Sequence, residues 1–356
     1  MRDILDNVDS EHYRSIFKSL LEALRRDKHL EPYRLPFTQG GLYYVAFDGS
    51  QYHSSTTIHC EHCLRKEHKN GTVYQHQALQ PAMMHPDLKQ VIPLMPEAIS
   101  NNAGRTKQDC EQEAMKRALV TLKQTHPRMP FLIGGDSLFA HTPTVQLLTT
   151  LDMRYLLTCK PGDHKYLMKW LNEFPDWPWT QWQDNKGRSH RYRWRNDVPL
   201  VDSNNTPRVN YLEYQLLNDK GKVTYRGGWI TDLEITRHNV ERMVRTGRCR
   251  WKIENECFNT LKNQGYHMTH NFGHGNRHLA HNMYLSILLA FSLHQLLELT
   301  DEAFQMCRQA YGSKRNLWEN IRVLCQQFII QDWYWLMAWL LDKENEHFTL
   351  ENLKNG

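Results

Sequence analysis

The 356-residue sequence lacks low-complexity tracts and internal repeats, which argues against a disordered chain or a solenoid. Its first residues include acids where a secretory signal peptide has a basic end followed by an apolar run. The longest predominantly apolar stretch, 285–293, is interrupted at His294 and is too short to span a bilayer. With 40% hydrophobic and 23% charged residues, the composition is that of a globular protein. We therefore predict a cytoplasmic protein without a membrane partner.

Cysteine is sparse, and neither charge sign dominates. The eight cysteines come without a signal peptide, so we expect reduced thiols rather than a disulfide framework. The formal net charge is only +5, but basic residues concentrate in segments 186–195 and 242–252, near aromatic residues. Such clusters suit a polyanion whose bases can be stacked upon. The alternative for either segment is a solvated surface.

Hydrophobic patterning divides the chain into three kinds of segment. Up to about residue 174, apolar strand-like runs alternate with segments of helical periodicity, which predicts an α/β layer architecture. Residues 175–235 contain short alternating segments and turn pairs, which predict an all-β insertion. The remainder has the periodicity of helices.

Two aspartates directly follow apolar runs. Asp48 ends the run that starts at Leu42, where we expect a buried strand followed by a turn, and Asp136 ends the run 130–135. A carboxylate in this position, next to glycine, is aimed into the cleft at the strand ends. The alternative for each is an aspartate that starts a turn or caps a helix.

A third carboxylate is predicted from helical geometry. At about 100° per residue, Glu254 falls in the middle of its helix's apolar stripe, between Trp251 and Cys257, whereas Glu256 falls on the polar side. An ionised glutamate on such a stripe needs a metal or a charged partner. Arg250, one turn earlier, is the partner in the purely structural interpretation.

Two strand-end aspartates and one helical glutamate can form an all-oxygen site for hard divalent cations. Mg²⁺ prefers a few carboxylates, with water and phosphate completing its shell. Two such ions support phosphoryl transfer by activating one oxygen and stabilising the other.

Three motifs resemble bacterial insertion-sequence transposases of the DDE type. They are Phe-Asp-Gly-Ser-Gln-Tyr at 47–52, Gly-Gly-Asp-Ser-Leu-Phe-Ala at 134–140, and Arg-Trp-Lys-Ile-Glu-Asn-Glu-Cys-Phe-Asn-Thr-Leu-Lys-Asn-Gln-Gly-Tyr at 250–266. The resemblance extends over about residues 40–290 and implies a ribonuclease-H-like core with Asp48, Asp136 and Glu254 as catalytic, metal-binding residues. It also implies two Mg²⁺ or Mn²⁺ ions, hydrolytic nicking of double-stranded DNA at the element's ends, and strand transfer into target DNA, by a homodimer in the synaptic complex and associated with the bacterial nucleoid.

The sequence departs from the family pattern in three places. Relatives often carry Tyr where this chain has Gly247, and they place a Lys where it has Leu261, with Lys262 one residue later. Relatives also have a helical DNA-binding region before the first strand, whereas only about 40 residues precede it here. We expect either that end recognition is performed elsewhere or that the chain starts inside a longer reading frame.

On this resemblance we predict five regions and a set of DNA contacts. The regions are an N-terminal helical segment (1–39), the first part of the catalytic core (40–174), the β-rich insertion (175–235), the return of the core with the glutamate-bearing helix (236–300) and C-terminal helices (301–356). The predicted DNA-binding residues are Arg250, Lys252, Lys262, Arg191, Arg193 and Arg195. The last three alternate along a predicted strand, so they should project on one face, opposite Tyr192 and Trp194.

Cys60-x-x-Cys63 is one half of a zinc signature and lies in the predicted loop after the first strand. No second cysteine pair accompanies it, so a zinc site would need two histidines. The nearby histidines are His59, His62, His68 and His76. Two interpretations stay open: a zinc-pinned loop, or two reduced thiols in a polar hairpin loop.

Three functional hypotheses follow from the sequence. The first is a Mg²⁺-dependent DNA transposase. The second is a truncated, catalytically inactive transposase-derived DNA-binding protein. The third is an unrelated hydrolase with Asp48 as its nucleophile, for which no nearby residues supply the expected partners.

Overall fold

A computed structural model describes residues 2–101 and 108–342. Within these residues, twelve strands form one mixed sheet. The strands are β1 (Arg34–Leu35), β2 (Leu42–Ser55), β3 (Leu64–His68), β4 (Gly71–Met83), β5 (Ile92–Pro93), β6 (Glu97–Ile99), β7 (Phe131–Gly135), β8 (Arg154–Thr158), β9 (Trp179–Gln183), β10 (Ser189–Pro199), β11 (Arg208–Leu217) and β12 (Val223–Thr231).

The main sheet order is β3-β4-β2-β7-β8-β12-β11-β10-β9. Strand β2 is central: it pairs antiparallel with β4 and parallel with β7, which in turn pairs parallel with β8. The short strands β5 and β6 pair antiparallel with β4. The predicted α/β architecture is confirmed: the chain has a large mixed sheet, with parallel and antiparallel pairs, that is flanked by helices.

Helices cover both faces of the sheet. The helices are α1 (Arg2–Asn7), α2 (His12–Arg26), α3 (Glu111–Thr125), α4 (Thr142–Thr150), α5 (Lys165–Glu173), α6 (Val240–Arg248), α7 (Asn259–Asn263), α8 (Leu279–Thr300), α9 (Glu302–Tyr311), α10 (Lys314–Gln327) and α11 (Trp333–Leu341). Side chains of α3, α4 and α5 share one core with the sheet, and those of α6, α7 and α8 share a second core on the opposite face. Helices α9 to α11 form a smaller third core. Residues 343–356 of the predicted C-terminal helices lie outside the described residues.

The sequence pattern predicted that β2 ends at Asp48, but the strand continues beyond this residue. It continues to Ser55 because β4 is almost as long and stays paired with it from Val45↔Met83 to Ser55↔Tyr74. The predicted turn is wrong, and Asp48 lies in the interior of a 14-residue strand. The parallel partner β7 stops earlier, so Asp48 still lies beyond the end of one neighbouring strand.

The β-rich segment is continuous with the main sheet. Strands β9 to β12 form an antiparallel series, and β12 pairs with β8 from Trp229↔Thr158 to Thr231↔Leu156. This pairing positions the segment beside β7 and β8, next to the parallel part of the sheet.

Helix α8 is long and apolar enough, by length and composition, to cross a membrane, unlike the shorter stretch considered in the sequence. In this fold it is a core helix: Leu285, Leu288 and Phe291 are buried in the second core. Its buried Gln295 accepts a hydrogen bond from the backbone of Val91, which ties the helix to the sheet.

Candidate active site

The register of two parallel strands positions two carboxylates at one edge of the sheet. Strands β2 and β7 pair from Tyr43↔Phe131 to Ala46↔Gly134. Asp48 and Asp136 are each two residues beyond the last pair, so they occupy equivalent places. Because parallel strands present their carboxyl ends at the same edge, both side chains lie at one edge of the sheet, where Asp136 influences the pKa of Asp48. This arrangement explains why the two apolar-run motifs look alike in the sequence.

Arg250 joins Glu254 to the aspartates. Its two terminal nitrogens lie 3.1 Å from Asp48 Oδ2 and 3.1 Å from Glu254 Oε1. Arg250 and Asp48 are each 21% exposed as side chains, whereas Glu254 is 55% exposed. The structural Arg250–Glu254 pair considered above is therefore present, and it also includes Asp48.

The predicted helical phase of Glu254 is wrong. Glu254 and Trp251 are exposed rather than on a buried stripe, and Glu256 is half-buried. The reason is that Ile253–Phe258 form a π-helix, whose wider turn invalidates an angle of about 100° per residue. The π-turn keeps Ile253 in the core while it leaves Glu254 exposed and paired with Arg250.

Burial dominates the electrostatic environment of Asp48, and Arg250 is the largest charge that acts on it. Burial raises the pKa of Asp48 to about 6, the carboxylates of Glu254 and Asp136 act in the same direction, and Arg250 opposes them. The negative charge of the three carboxylates therefore exceeds what one guanidinium neutralises.

Glu111 is a fourth carboxylate at this site, and no local pattern in the sequence pointed to it. It is the first residue of α3, and its pKa is raised by burial, then by Asp48 and Asp136. Gly49 makes room for it, because a Cβ at that position would lie 2.2 Å from Glu111 Oε1. The glycine after Asp48 therefore allows the Glu111 carboxylate to lie against β2.

Asp136 also has a capping role. Its Oδ1 accepts a hydrogen bond from the backbone N–H of Leu138 at 2.9 Å, at the start of the 3₁₀ helix Ser137–Phe139. The capping alternative considered from the sequence is thus present together with the position at the sheet edge. The cap fixes the orientation of the carboxylate.

A basic cleft of about 410 Å³ adjoins the carboxylates. Arg250 lines it, and its other charged lining residues are Lys160, Glu213, Arg226 and Arg248. Aromatic rings of Tyr225, Trp229 and Trp251 also line it. The excess positive charge beside the aromatic rings is suited to an oligonucleotide backbone.

Comparisons with known proteins give only distant likenesses. No family model and no curated protein sequence matches the chain. The fold is similar to a piggyBac transposase in a synaptic complex with hairpin DNA, with 13% identity and a TM-score of 0.42 over 88% of this chain. This chain spans 57% of that transposase chain. It is also similar to the NurA nuclease from Sulfolobus solfataricus, with 9% identity and a TM-score of 0.26 over 67% of this chain and 85% of that one.

Lys252 was predicted to bind DNA, and the structure contradicts this prediction. Its ammonium donates to the backbone carbonyls of His85, Pro86 and Leu88, and the residue is 7% exposed. An ammonium has three donors, so these carbonyls use its whole capacity. Lys252 anchors the loop after β4 instead.

Lys262 is exposed, and its ammonium lies 5.9 Å from the centre of the Phe258 ring. The long stem packs along its own helix. A DNA contact for Lys262 stays a prediction.

Arg191, Arg193 and Arg195 alternate along β10 as predicted. All three are half-buried on one face, whereas Tyr192 and Trp194 are buried on the other. Each arginine already has a partner within the chain: Arg191 donates to Gln181, Arg193 stacks on Trp177, and Arg195 donates to the carbonyl of Asp176. These contacts hold the guanidinium groups in place along the strand, and a role in DNA binding stays a prediction.

The departure at Gly247 has a structural reason. A Cβ at this position would lie 2.4 Å from Nε1 of Trp229, which fills the space beside α6. A tyrosine cannot be accommodated here without displacing Trp229.

Cys60 and Cys63 lie away from the carboxylates, between β2 and β3. Their sulfur atoms are 3.9 Å apart, and the imidazoles of His76 and His274 adjoin them. Of the histidines considered from the sequence, only His76 belongs to this cluster of donor atoms, and His274 was not considered.

Proposed function

We propose that the chain is a metal-dependent DNA transposase of the DDE type that nicks DNA and transfers strands. Asp48, Asp136 and Glu254 are its metal-binding residues. The observation that carries the proposal is the shared register of Asp48 and Asp136 at one sheet edge, with Glu254 linked to Asp48 through Arg250. The adjoining basic cleft supplies a place for the DNA backbone.

The chemistry of the donor set fits Mg²⁺ or Mn²⁺. All the candidate ligands are carboxylates, as hard cations require. Burial and mutual repulsion raise the pKa values of Asp48 and Glu111, so a bound dication would relieve an unfavourable concentration of negative charge. When bound, two such ions supply the Lewis acidity that activates an attacking oxygen and stabilises a leaving one.

The protein's own residues have separate tasks in this proposal. Asp136 is oriented by its cap on Leu138, and Arg250 orients Asp48 and Glu254 towards each other. Lys160, Arg226 and Arg248 hold the phosphodiester in the cleft. The ring of Arg248's neighbour Tyr225, 4.6 Å from the guanidinium carbon, keeps that side chain extended along the cleft wall.

The second candidate function is a catalytically inactive DNA-binding protein with the same fold. The ion pairs of Arg250 favour it, because a guanidinium that neutralises two carboxylates stabilises the site without a metal. The two functions share the basic cleft and differ in the need for a divalent cation.

Nicking of supercoiled plasmid DNA by the purified full chain tests the proposal. We expect nicked circles in the presence of Mg²⁺ or Mn²⁺. In a buffer in which a chelator removes divalent cations, the plasmid should stay supercoiled. Asp136→Asn should abolish nicking and keep DNA affinity within about twofold, since it removes a charge from the metal site and not from the cleft. Asp163→Asn, an exposed acid outside the site, is the matched control and should nick normally.

Two outcomes decide between the functions. Plasmid nicking that Asp136→Asn eliminates supports the enzyme. Tight DNA binding without nicking at any divalent cation concentration would overturn it in favour of the inactive DNA-binding protein.

A further inference from the structure

Four side chains with soft or borderline metal-ligand atoms converge in the interior beside the β2–β4 pair. They are Cys60, Cys63, His76 and His274, whose ligand atoms all lie within 4.8 Å of one another. Cys63 and His76 are buried, and His274 is 9% exposed. We name this group the Cys/His cluster and propose that it is a structural zinc site.

The distances within the cluster match a tetrahedron around one ion. The two sulfurs are 3.9 Å apart, three of the four sulfur-to-Nε2 distances are 3.4–3.5 Å, and the Nε2 atoms of His76 and His274 are 3.0 Å apart. The remaining pair, Cys60 and His274, has its ligand atoms within 4.8 Å. Zinc bonds of about 2.3 Å to sulfur and about 2.0–2.1 Å to nitrogen give tetrahedral edges of roughly 3.8, 3.5 and 3.3 Å respectively. Five of the six edges of the cluster therefore agree with a zinc tetrahedron within a few tenths of an ångström.

The surroundings prepare the donors for a metal. His274 Nδ1 lies 2.9 Å from the carbonyl oxygen of Gly275, so this nitrogen carries the proton and Nε2 presents its lone pair to the cluster. The backbone N–H of Cys60 points to the sulfur of Cys63 at 3.5 Å. Tyr52 stacks on His76, and the ring of His53 lies 4.5 Å from that of His274. Aromatic rings thus shield the cluster from water.

Two alternatives explain the geometry less well. A disulfide requires sulfurs about 2.05 Å apart, whereas these are separated by 3.9 Å. A purely hydrogen-bonded cluster can pair two S–H donors with two imidazole nitrogens, but it does not require all four donor atoms to surround one point, as they do here. Two thiolates with two imidazoles are a common zinc ligand set, whereas Mg²⁺ selects oxygen.

The site would join three segments that are distant in sequence. Cys60 and Cys63 belong to the loop after β2, His76 belongs to β4, and His274 precedes α8. The segment next to His274 is also held at the other side, because the Asp6 carboxylate accepts from the backbone N–H groups of residues 276–279. Asp48 lies on β2. A zinc ion at this site would therefore connect the outer end of the β2–β4 pair to the start of α8.

Metal analysis of the full chain tests the inference. We expect the protein purified with added zinc to retain about one equivalent after gel filtration. Replacement by Co²⁺ should give thiolate-to-cobalt charge-transfer absorption and the intense visible bands of a tetrahedral site. A strong zinc chelator should lower the Tm by about 5 °C, and Mg²⁺ should not restore it.

Paired variants assign the ligands. His274→Gln should lose most of the bound zinc and the tetrahedral cobalt spectrum, whereas His270→Gln, an exposed histidine in the same segment, should keep both. Cys63→Ser should behave like His274→Gln, and Cys110→Ser, an exposed cysteine outside the cluster, should not.

The wild-type measurements decide the question even if a ligand variant does not fold. A wild-type chain that retains no zinc, or whose cobalt spectrum shows no thiolate charge transfer, overturns the inference. Unchanged zinc content and cobalt spectrum in folded His274→Gln would overturn the assignment of His274.

Discussion

The carboxylate site and the Cys/His cluster lie along the same pair of strands but follow opposite designs. His53 is five positions from Asp48 along β2, which corresponds to about 16 Å, and His76 of the Cys/His cluster is the residue of β4 that pairs with it. At the first site, charged oxygens surround one guanidinium beside an open cleft. At the second, sulfur and nitrogen atoms converge closely in the interior.

The two sets of donor atoms are suited to different tasks. A partly open set of carboxylates with raised pKa values binds a cation weakly enough to share it with a phosphate. A closed set of soft donors binds one ion permanently and contributes to folding. In our proposals the first site performs the chemistry and the second holds the outer end of its scaffold.

The largest effects are expected when a variant of the carboxylate site is compared with a variant of the Cys/His cluster. We expect Glu254→Gln to reduce nicking by at least about 10³-fold, or ~4 kcal/mol in barrier height, because a ligand to the reacting ions loses its charge. Zinc content should be unchanged. Nicking is measured at a temperature well below the Tm, beside zinc analysis of the same preparation.

His274→Gln is expected to do the reverse. It should lose zinc and lower the Tm, while nicking at low temperature stays within a fewfold of wild type. Equal loss of nicking in both variants would mean that the two sites are not separate. Glu256→Gln, on the same helix as Glu254, is the control and should be nearly silent.

The second test follows the pH dependence of nicking, which should report the protonation of the carboxylate site. The pKa of Asp48 is raised from 3.8 to about 6, so below about pH 6 the protonated form prevails and ligand charge is lost. At limiting Mg²⁺ the nicking rate should fall up to about tenfold per pH unit below that value. More Mg²⁺ should shift the fall to lower pH.

In the absence of Mg²⁺, the titration of Asp48 should also change the free energy of unfolding. A raised carboxyl pKa adds stability below the unfolded value of 3.8, and this contribution is lost as the pH rises through about 6. Urea unfolding of the Mg²⁺-free chain between about pH 4 and about pH 7 measures this contribution. An Asp48→Asn chain with the same pH slope as wild type would contradict the assignment.

The third test concerns Glu111, the carboxylate that the sequence did not reveal. Glu111→Gln should raise the Mg²⁺ concentration for half-maximal nicking by about tenfold, corresponding to ~1.4 kcal/mol, because it removes negative charge beside Asp48 and Asp136. Glu113→Gln, in the same turn but paired with Lys116, is the control. A Mg²⁺ titration curve that does not move would exclude Glu111 from the metal environment.

The smallest effect is expected in DNA binding, and it compares the cleft with β10. Replacing Lys160, Arg226 and Arg248 with alanine should flatten the slope of log affinity against log salt by up to about three units. The Arg191, Arg193 and Arg195 triple variant should give a smaller change, because these side chains do not line the cleft. Relative preference among DNA sequences should stay the same in both variants. A larger change in the β10 variant would reverse the assignment.

Local pattern predicted the elements, and packing decided how they meet. Apolar runs predicted the β2 and β7 segments and their aspartates, but not that β2 continues past Asp48, because that depends on the length of β4. The periodicity of the third motif placed Glu254 on a buried stripe, and the π-turn left it exposed and paired with Arg250. Lys252 looked like a DNA contact until the fold supplied three carbonyls for its ammonium.

Sequence pattern alone pointed to the candidate residues: aspartates at the ends of apolar runs, an arginine one turn before a glutamate, and a Cys-x-x-Cys pair. Their partners depended on the fold. His274 reaches Cys63 across 211 positions of the sequence, and the carboxylate of Glu111 packs against Gly49, next to Asp48. Periodicity and turn chemistry arise from neighbours along the chain, whereas a binding site depends on which distant segments the core brings together.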